Sequence, residues 1–457
     1  MTTDVVRTAQ PLLFDRDRAA APAVKPHGFF LAAIVLTLTA GATWGAILLV
    51  RIALARSFTA LSVFEVNAHG QAQIYGWVGL FVLGAAYLLV PRFTGVPLAH
   101  PRIAAASLPL MVSGTVVRAF GEPFPELTLG PLLALSGAGL QLLAVGAFVV
   151  VLGGTLRQAP ARGATHRYLL AAVGWFAVAA VLDLVHLTRL LGAPSRDALL
   201  RQVAVWQFAL RETQIHGLAL TLIFGMSLWL LPALFRRKVA FQTLAKRLWW
   251  PLQIALGVEI VAFVTFMSTY EPAWAGVMWL AQAVFAAAAL VFVAGLGLWQ
   301  RGPVTRELKF LRASHVWLAV ALLMLVAAPA WSALVHDPFS HAWYGATRHA
   351  VTVGFVSLTI VGVGAALVRH LAGRALSRAA LWAAFALINL GCTLRVTLQA
   401  WTDLAPAAFP AAGVSGVFEV AGLAVWGVAM GRALWGGGGE ESGPRGRREE
   451  LPASLGV

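Results

Sequence analysis

His69-Gly70-Gln71-Ala72-Gln73-Ile74-Tyr75-Gly76 opens an apolar run that ends at Pro91-Arg92. A titratable imidazole therefore stands at the head of a segment long enough to cross a bilayer. Two further segments repeat the design. His216-Gly217-Leu218-Ala219 leads to Arg236, and His349-Ala350-Val351-Thr352-Val353-Gly354 leads to Arg369. The His-to-Arg spacings are 23, 20 and 20 residues. At about 1.5 Å per helical residue, each imidazole lies roughly 30 Å from a basic anchor. An ionisable side chain in a transmembrane helix marks a functional site by default. Three at one depth predict a single shared site.

Composition around these segments agrees with a membrane protein. The 457 residues are 59% hydrophobic and 12% charged, about half the charge of a soluble domain. The formal charge of +15 does not indicate nucleic acid, because the basic residues sit in short loops between apolar runs. The single cysteine, Cys392, excludes an intrachain disulfide, a thiolate cluster and a Cys-x-x-Cys-His haem attachment. It reads as a small core residue. Residues 1–27 are polar and read as a cytoplasmic tail, and 436–457 read as a second, disordered one.

Between the tails, 28–435 reads as an all-α membrane domain. Twelve apolar stretches reach bilayer length, near 28–50, 70–91, 103–120, 127–155, 168–190, 214–235, 248–268, 274–299, 313–335, 343–368, 379–401 and 410–435. The runs are continuous, which excludes a β-barrel. Loops after even-numbered spans carry 17 Lys and Arg, and the opposite loops carry six, including Arg196, Arg201 and Arg211. The positive-inside rule then makes both termini cytoplasmic. Spans 2, 6 and 10 run inward with their histidines at the outer ends. Their numbering advances by four, which predicts three pseudo-repeated four-helix units.

Neutral imidazole is a ligand for iron, copper or zinc, and haem iron accepts one or two axial histidines. His69, His216 and His349 are the candidate ligands. Glu65 and Glu212 lie one turn before His69 and His216 and can orient those rings from the same helical face. Arg118 and Arg395 lie inside apolar spans and need anionic partners. Haem propionates would serve, and so would carboxylates of the chain. Asp183 and Glu259 are further intramembrane acids, read as proton carriers or structural groups. His186, His336 and His341 lie on the outer side and read as solvated or interfacial, with completion of a second metal site as the alternative.

Thr347-Arg348-His349-Ala350-Val351-Thr352-Val353-Gly354, with Arg369-His370-Leu371-Ala372-Gly373-Arg374 after it, resembles the signature of the NnrS family. The run from His216 through Phe224-Gly225 to Leu231-Pro232 is similar to that family's central helix. The resemblance implies a twelve-helix protein of the bacterial inner membrane that carries haem, read as b type, and copper. It also implies a part in nitric oxide response and nitrosative stress, with nitric oxide as the small-molecule partner. His69 through Trp77 is similar, more distantly, to the second helix of the haem–copper oxidase catalytic subunit. That likeness implies His69 and His349 as haem ligands and His216 as a copper ligand. Span 7 lacks the paired histidines of those oxidases, so a complete oxygen-reducing centre is not expected.

Three functions are compatible with the residues alone. The first is a haem or haem–copper protein that binds a gas or transfers electrons near the periplasmic face. The second is a metal-handling permease, and the third is a cofactor-free assembly partner. The sequence names no redox partner.

Overall fold

The computed structural model describes residues 24–435, apart from 161 and 303, so the tail expectations at 436–457 and most of 1–27 lie outside the described residues. Among these residues there are no strands, and twelve helices are long and apolar enough to span a membrane. They are α1 (His27–Ala55), α2 (Val63–Thr94), α3 (Pro101–Gly121), α4 (Gly130–Arg157), α5 (Ala164–Leu191) and α6 (Arg196–Phe235). The second half contains α7 (Gln242–Thr269), α8 (Pro272–Gly295), α9 (Leu308–Val335), α10 (His341–Ala372), α11 (Arg378–Trp401) and α12 (Ala408–Trp435). The protein is a multi-pass membrane protein.

Helices α2, α6 and α10 form an inner layer. Between 72% and 89% of their most apolar windows is buried, and no other span exceeds 44%. An all-round apolar helix is stable only when neighbours or lipid cover it, and here nine helices surround three. An apolar pocket runs between the inner helices toward their C-terminal ends, with Val78, Phe81, Ile223, Met226, Ile360 and Val363 in its wall.

The fourfold numbering advance is visible in the packing. The closest helix pairs are α3 with α4, α7 with α8, and α11 with α12. Each inner helix also carries an eight-residue π-helical stretch: Ala72–Gly79, Thr213–Leu220 and Ala350–Ser357. The fifth residue of each stretch is glycine: Gly76, Gly217 and Gly354. Each glycine lets the helix that precedes it in the chain approach closely. A Cβ on Gly217 would stand 2.8 Å from Cγ of Trp175 on α5, and one on Gly354 would stand 2.5 Å from Cγ of Trp317 on α9. The Gly76 position faces Leu36 of α1 at 3.2 Å. Trp175 then donates to Gln253 of α7 at 2.7 Å, and Trp317 donates to Asn389 of α11 at 3.0 Å. Units α5–α7 and α9–α11 thus repeat the same glycine, tryptophan and amide contact.

This register corrects the sequence reading in two respects. The histidines are not the repeated positions: His69 precedes its stretch by three residues, His349 precedes by one, and His216 is the fourth residue inside. The segment 196–212 is not an outer loop but the first part of α6. Ser195 caps it by accepting from the Ala198 amide at 3.2 Å, and Arg211 is buried within the bundle.

Candidate cofactor and metal centres

π-Helical stretches loosen the backbone ladder, and such stretches are frequent at functional sites. Hydroxyls five residues on take up the loosened carbonyls. Thr221 donates to the His216 carbonyl at 2.9 Å, and Ser357 donates to the Thr352 carbonyl at 2.9 Å. α1 carries a fourth stretch, Thr37–Gly41, and it ends on an irregular backbone at Gly41 (φ −87°, ψ −105°). Its carbonyl accepts a hydrogen bond from His69 Nδ1 at 3.0 Å. His349 Nδ1 bonds the Gly345 carbonyl at 2.9 Å. A carbonyl can only accept, so each Nδ1 carries the proton and each Nε2 presents its lone pair. Neither Nε2 has a hydrogen-bond partner among the described residues.

The two rings lie within electrostatic reach of each other, and the Arg395 guanidinium of α11 reaches both. Arg395 is buried, and its Nε and Nη1 have no partner. Glu419 of α12 lies within its electrostatic range, with an unpartnered Oε1. Gly45 of α1 forms the floor under His69. A Cβ there would stand 2.7 Å from the ring Nδ1 and closer still to Cε1. This first cluster fills the gap between α10, α11, α12, α1 and α2.

His216 turns elsewhere. Its Nδ1 pairs with Glu212, one turn earlier on α6, and its ring packs on Phe285 of α8 at 4.8 Å between centroids. Glu259 of α7 completes the group: one atom from each of Glu212, His216 and Glu259 lies within 4.8 Å of the others. Gln282 of α8 donates to Glu259 Oε1 at 2.9 Å. Arg348, within electrostatic range of Glu212, is taken up by Tyr344, whose ring lies 3.9 Å from its guanidinium carbon. The three histidines expected to share one site therefore fall into two clusters. The reason is the helix register: the imidazole within the α6 stretch faces α7 and α8, while the other two face α1 and α11.

The third gap, enclosed by α2 to α6, holds Arg118. Its guanidinium bonds Glu122 at 2.7 Å, Gln141 at 3.0 Å and Asp183 at 3.2 Å. Gln71 donates to Asp183, and Gln214 donates to Gln71 at 3.4 Å. Arg211 continues the chain through Gln214 at 2.8 Å and Asn67 at 3.0 Å. Two guanidinium and two carboxylate groups balance in this network. Arg118 thus has carboxylates of the chain as partners, the second of the two readings its sequence allowed, whereas Arg395 keeps free donors. Glu65 is also occupied elsewhere. It closes a capping box with Ser62 at the start of α2 and pairs with Arg51, so Gly41 rather than Glu65 orients His69. The free amides of a first helical turn attract that carboxylate more strongly than a ring one turn on.

Sequence reasoning missed Glu419, Gly41, Gly45 and the buried role of Arg211. Glu419, a carboxylate inside an apolar span, carried a usable signal. The glycines carried none, since only the packing shows which carbonyl and which bare Cα meet His69. His186 bonds Gln207 at 2.9 Å, and Cys392 is a buried core thiol, 3.9 Å from the His349 carbonyl.

Twelve membrane helices arranged as three units around α2, α6 and α10 define an all-helical polytopic membrane protein. A solved structure of a heme-copper terminal oxidase dimer is similar in fold, with a TM-score of 0.63 and 14% sequence identity over 93% of this chain and 86% of that one. The profile of the NnrS protein family matches residues 27–437, and the chain belongs to the NnrS family. No curated protein matches it.

Proposed function

We propose that the protein is a haem protein of the bacterial inner membrane, acting in nitric oxide response. One observation carries the reading: His69 and His349, on separate inner helices, hold their Nδ1 protons on backbone carbonyls and leave both Nε2 lone pairs free beside an unpartnered buried arginine. The residues fit a b-type haem. His69 and His349 would hold its iron, Arg395 would receive its carboxylate groups through its unpartnered donors, and bare Gly45 admits the ring of His69. Held by two imidazoles, such a haem would supply one-electron transfer. The chain's own residues orient the imidazoles, exclude water and hold a positive charge near the site. The family resemblance supports nitric oxide as the small molecule concerned, and the apolar pocket between α2, α6 and α10 suits a small neutral gas. The loop charge supports placing the haem near the periplasmic face.

Copper fits less well. His216 is the one imidazole of its cluster among the described residues, its neighbours are carboxylates, and Cys392 lies beside His349 instead. Copper favours several imidazole or sulfur donors.

A pyridine haemochrome assay on the purified full-length protein tests the haem reading. About one haem per chain is expected. His69→Ala and His349→Ala should each lower the content at least tenfold or convert the spectrum to a five-coordinate form. A permease or cofactor-free partner would show no Soret band. Unaltered spectra in both variants would remove the two histidines from ligation.

A further inference from the structure

The cluster on α6, α7 and α8 is built differently from the haem site, and its chemistry points to another occupant. Glu259 is fully buried, and its Oε2 has no partner although Gln282 satisfies Oε1. A buried carboxylate oxygen without a donor is costly, and more so among membrane helices. Among the described residues no lysine or arginine is in hydrogen-bonding contact with Glu212 or Glu259; Arg348, the cation in electrostatic range of Glu212, is turned onto Tyr344. His216 answers Glu212 directly, and a carboxylate oxygen of Glu259 lies within 4.8 Å of ligand atoms of both.

We infer that Glu212, His216 and Glu259 form a site for one hard or borderline divalent cation, iron(II), manganese(II) or zinc(II), and not for copper. Nitrogen and oxygen ligands bind such ions at about 2.0–2.2 Å, so donor atoms around one ion lie at most about 4.4 Å apart. The observed spread of up to 4.8 Å is within a few tenths of an ångström of that limit. Two carboxylates and one imidazole are the donor types expected for iron, manganese or zinc. Phe285 packs on the imidazole, and Gln282 fixes one carboxylate from outside, as supporting groups commonly do for metal ligands. Three protein donors leave coordination positions open for a small ligand. The inference stands whether or not haem is bound.

Metal analysis of the full-length protein, purified without chelator, tests it, with haem iron from the haemochrome assay subtracted from total iron. About one equivalent of non-haem iron, manganese or zinc per chain is expected. Chelator-treated protein is then titrated with Mn²⁺, with loss of the free-ion paramagnetic resonance signal as the readout. Added copper is avoided here, since it out-competes other divalent ions at almost any nitrogen and oxygen site. Glu259→Gln and Glu212→Gln should each weaken Mn²⁺ binding at least tenfold. Unchanged haem content, or an unchanged size-exclusion profile if haem is absent, shows that each variant is folded. Glu259→Asp keeps the charge and should bind more tightly than Glu259→Gln. The inference is overturned by wild-type affinity in the Gln variants, by no binding in the wild type, or by copper as the metal retained on purification.

Discussion

Arg118 and Arg395 look alike in sequence, each a lone guanidinium in an apolar span, and the structure gives them opposite surroundings. Arg118 bonds two carboxylates and a glutamine, whereas Arg395 keeps two buried donors free. Breaking a buried ion pair from one side strands the partner charges and costs roughly 3–5 kcal/mol. Arg118→Met should therefore lower stability by about that amount in detergent unfolding, with the haem spectrum of the remaining folded protein unchanged. Arg395→Met should leave stability nearly intact and instead weaken haem retention severalfold. A reversal of these two outcomes would interchange their roles. The candidate ligands were legible because each is an ionisable group in apolar surroundings. Glu212, one turn before His216, was legible as its partner; the Gly41 carbonyl that holds His69 and the Arg395 guanidinium near both rings were not, because they lie on other helices. His69 illustrates the point: Glu65 is its obvious neighbour in sequence, and Gly41 is its partner in space.

At the scale of the helix, the π-helical stretches set where the side chains point. Each wider turn shifts the register of everything N-terminal to it. Deleting Val351 from Ala350–Ser357 would restore ordinary α-helical pitch and rotate His349 by about 100° relative to the C-terminal half of α10. Haem content of that variant should fall at least tenfold while the chain still inserts. A deletion at Val428 in α12, outside any such stretch, should have a much smaller effect. Retention of full haem content after the Val351 deletion would show that the stretch does not position the imidazole. The apolarity of these helices could be read from the sequence, with boundaries shifted by a few residues in most of them and by 18 at the start of α6. The π-helical turns could not, since they arise where glycines meet bulky partners such as Trp175 and Trp317 on adjoining helices.

For the molecule as a whole, three four-helix units enclose three gaps, and each gap holds a different polar cluster: paired imidazoles, an imidazole with two carboxylates, and a balanced ion network. The loop charge asymmetry predicts that these loops face defined sides of the membrane. With Cys392 buried, cysteines introduced singly at Lys238 and Glu271 report on sidedness. A membrane-impermeant maleimide added to intact cells should label Glu271→Cys, and Lys238→Cys should react only after permeabilisation. The opposite pattern would invert the orientation.

The sequence by itself determined the class of this protein. Continuous apolar helical runs follow from the cost of leaving backbone groups unsatisfied in lipid, and that cost acts on every residue locally. It also nominated the histidines, since an imidazole in hydrocarbon stands out wherever it occurs. Only the tertiary structure decided how they divide. His69 and His349 face one gap and His216 another because helix rotation, set by glycine contacts and π-helical turns between distant segments, determines direction, and direction is a property of packing.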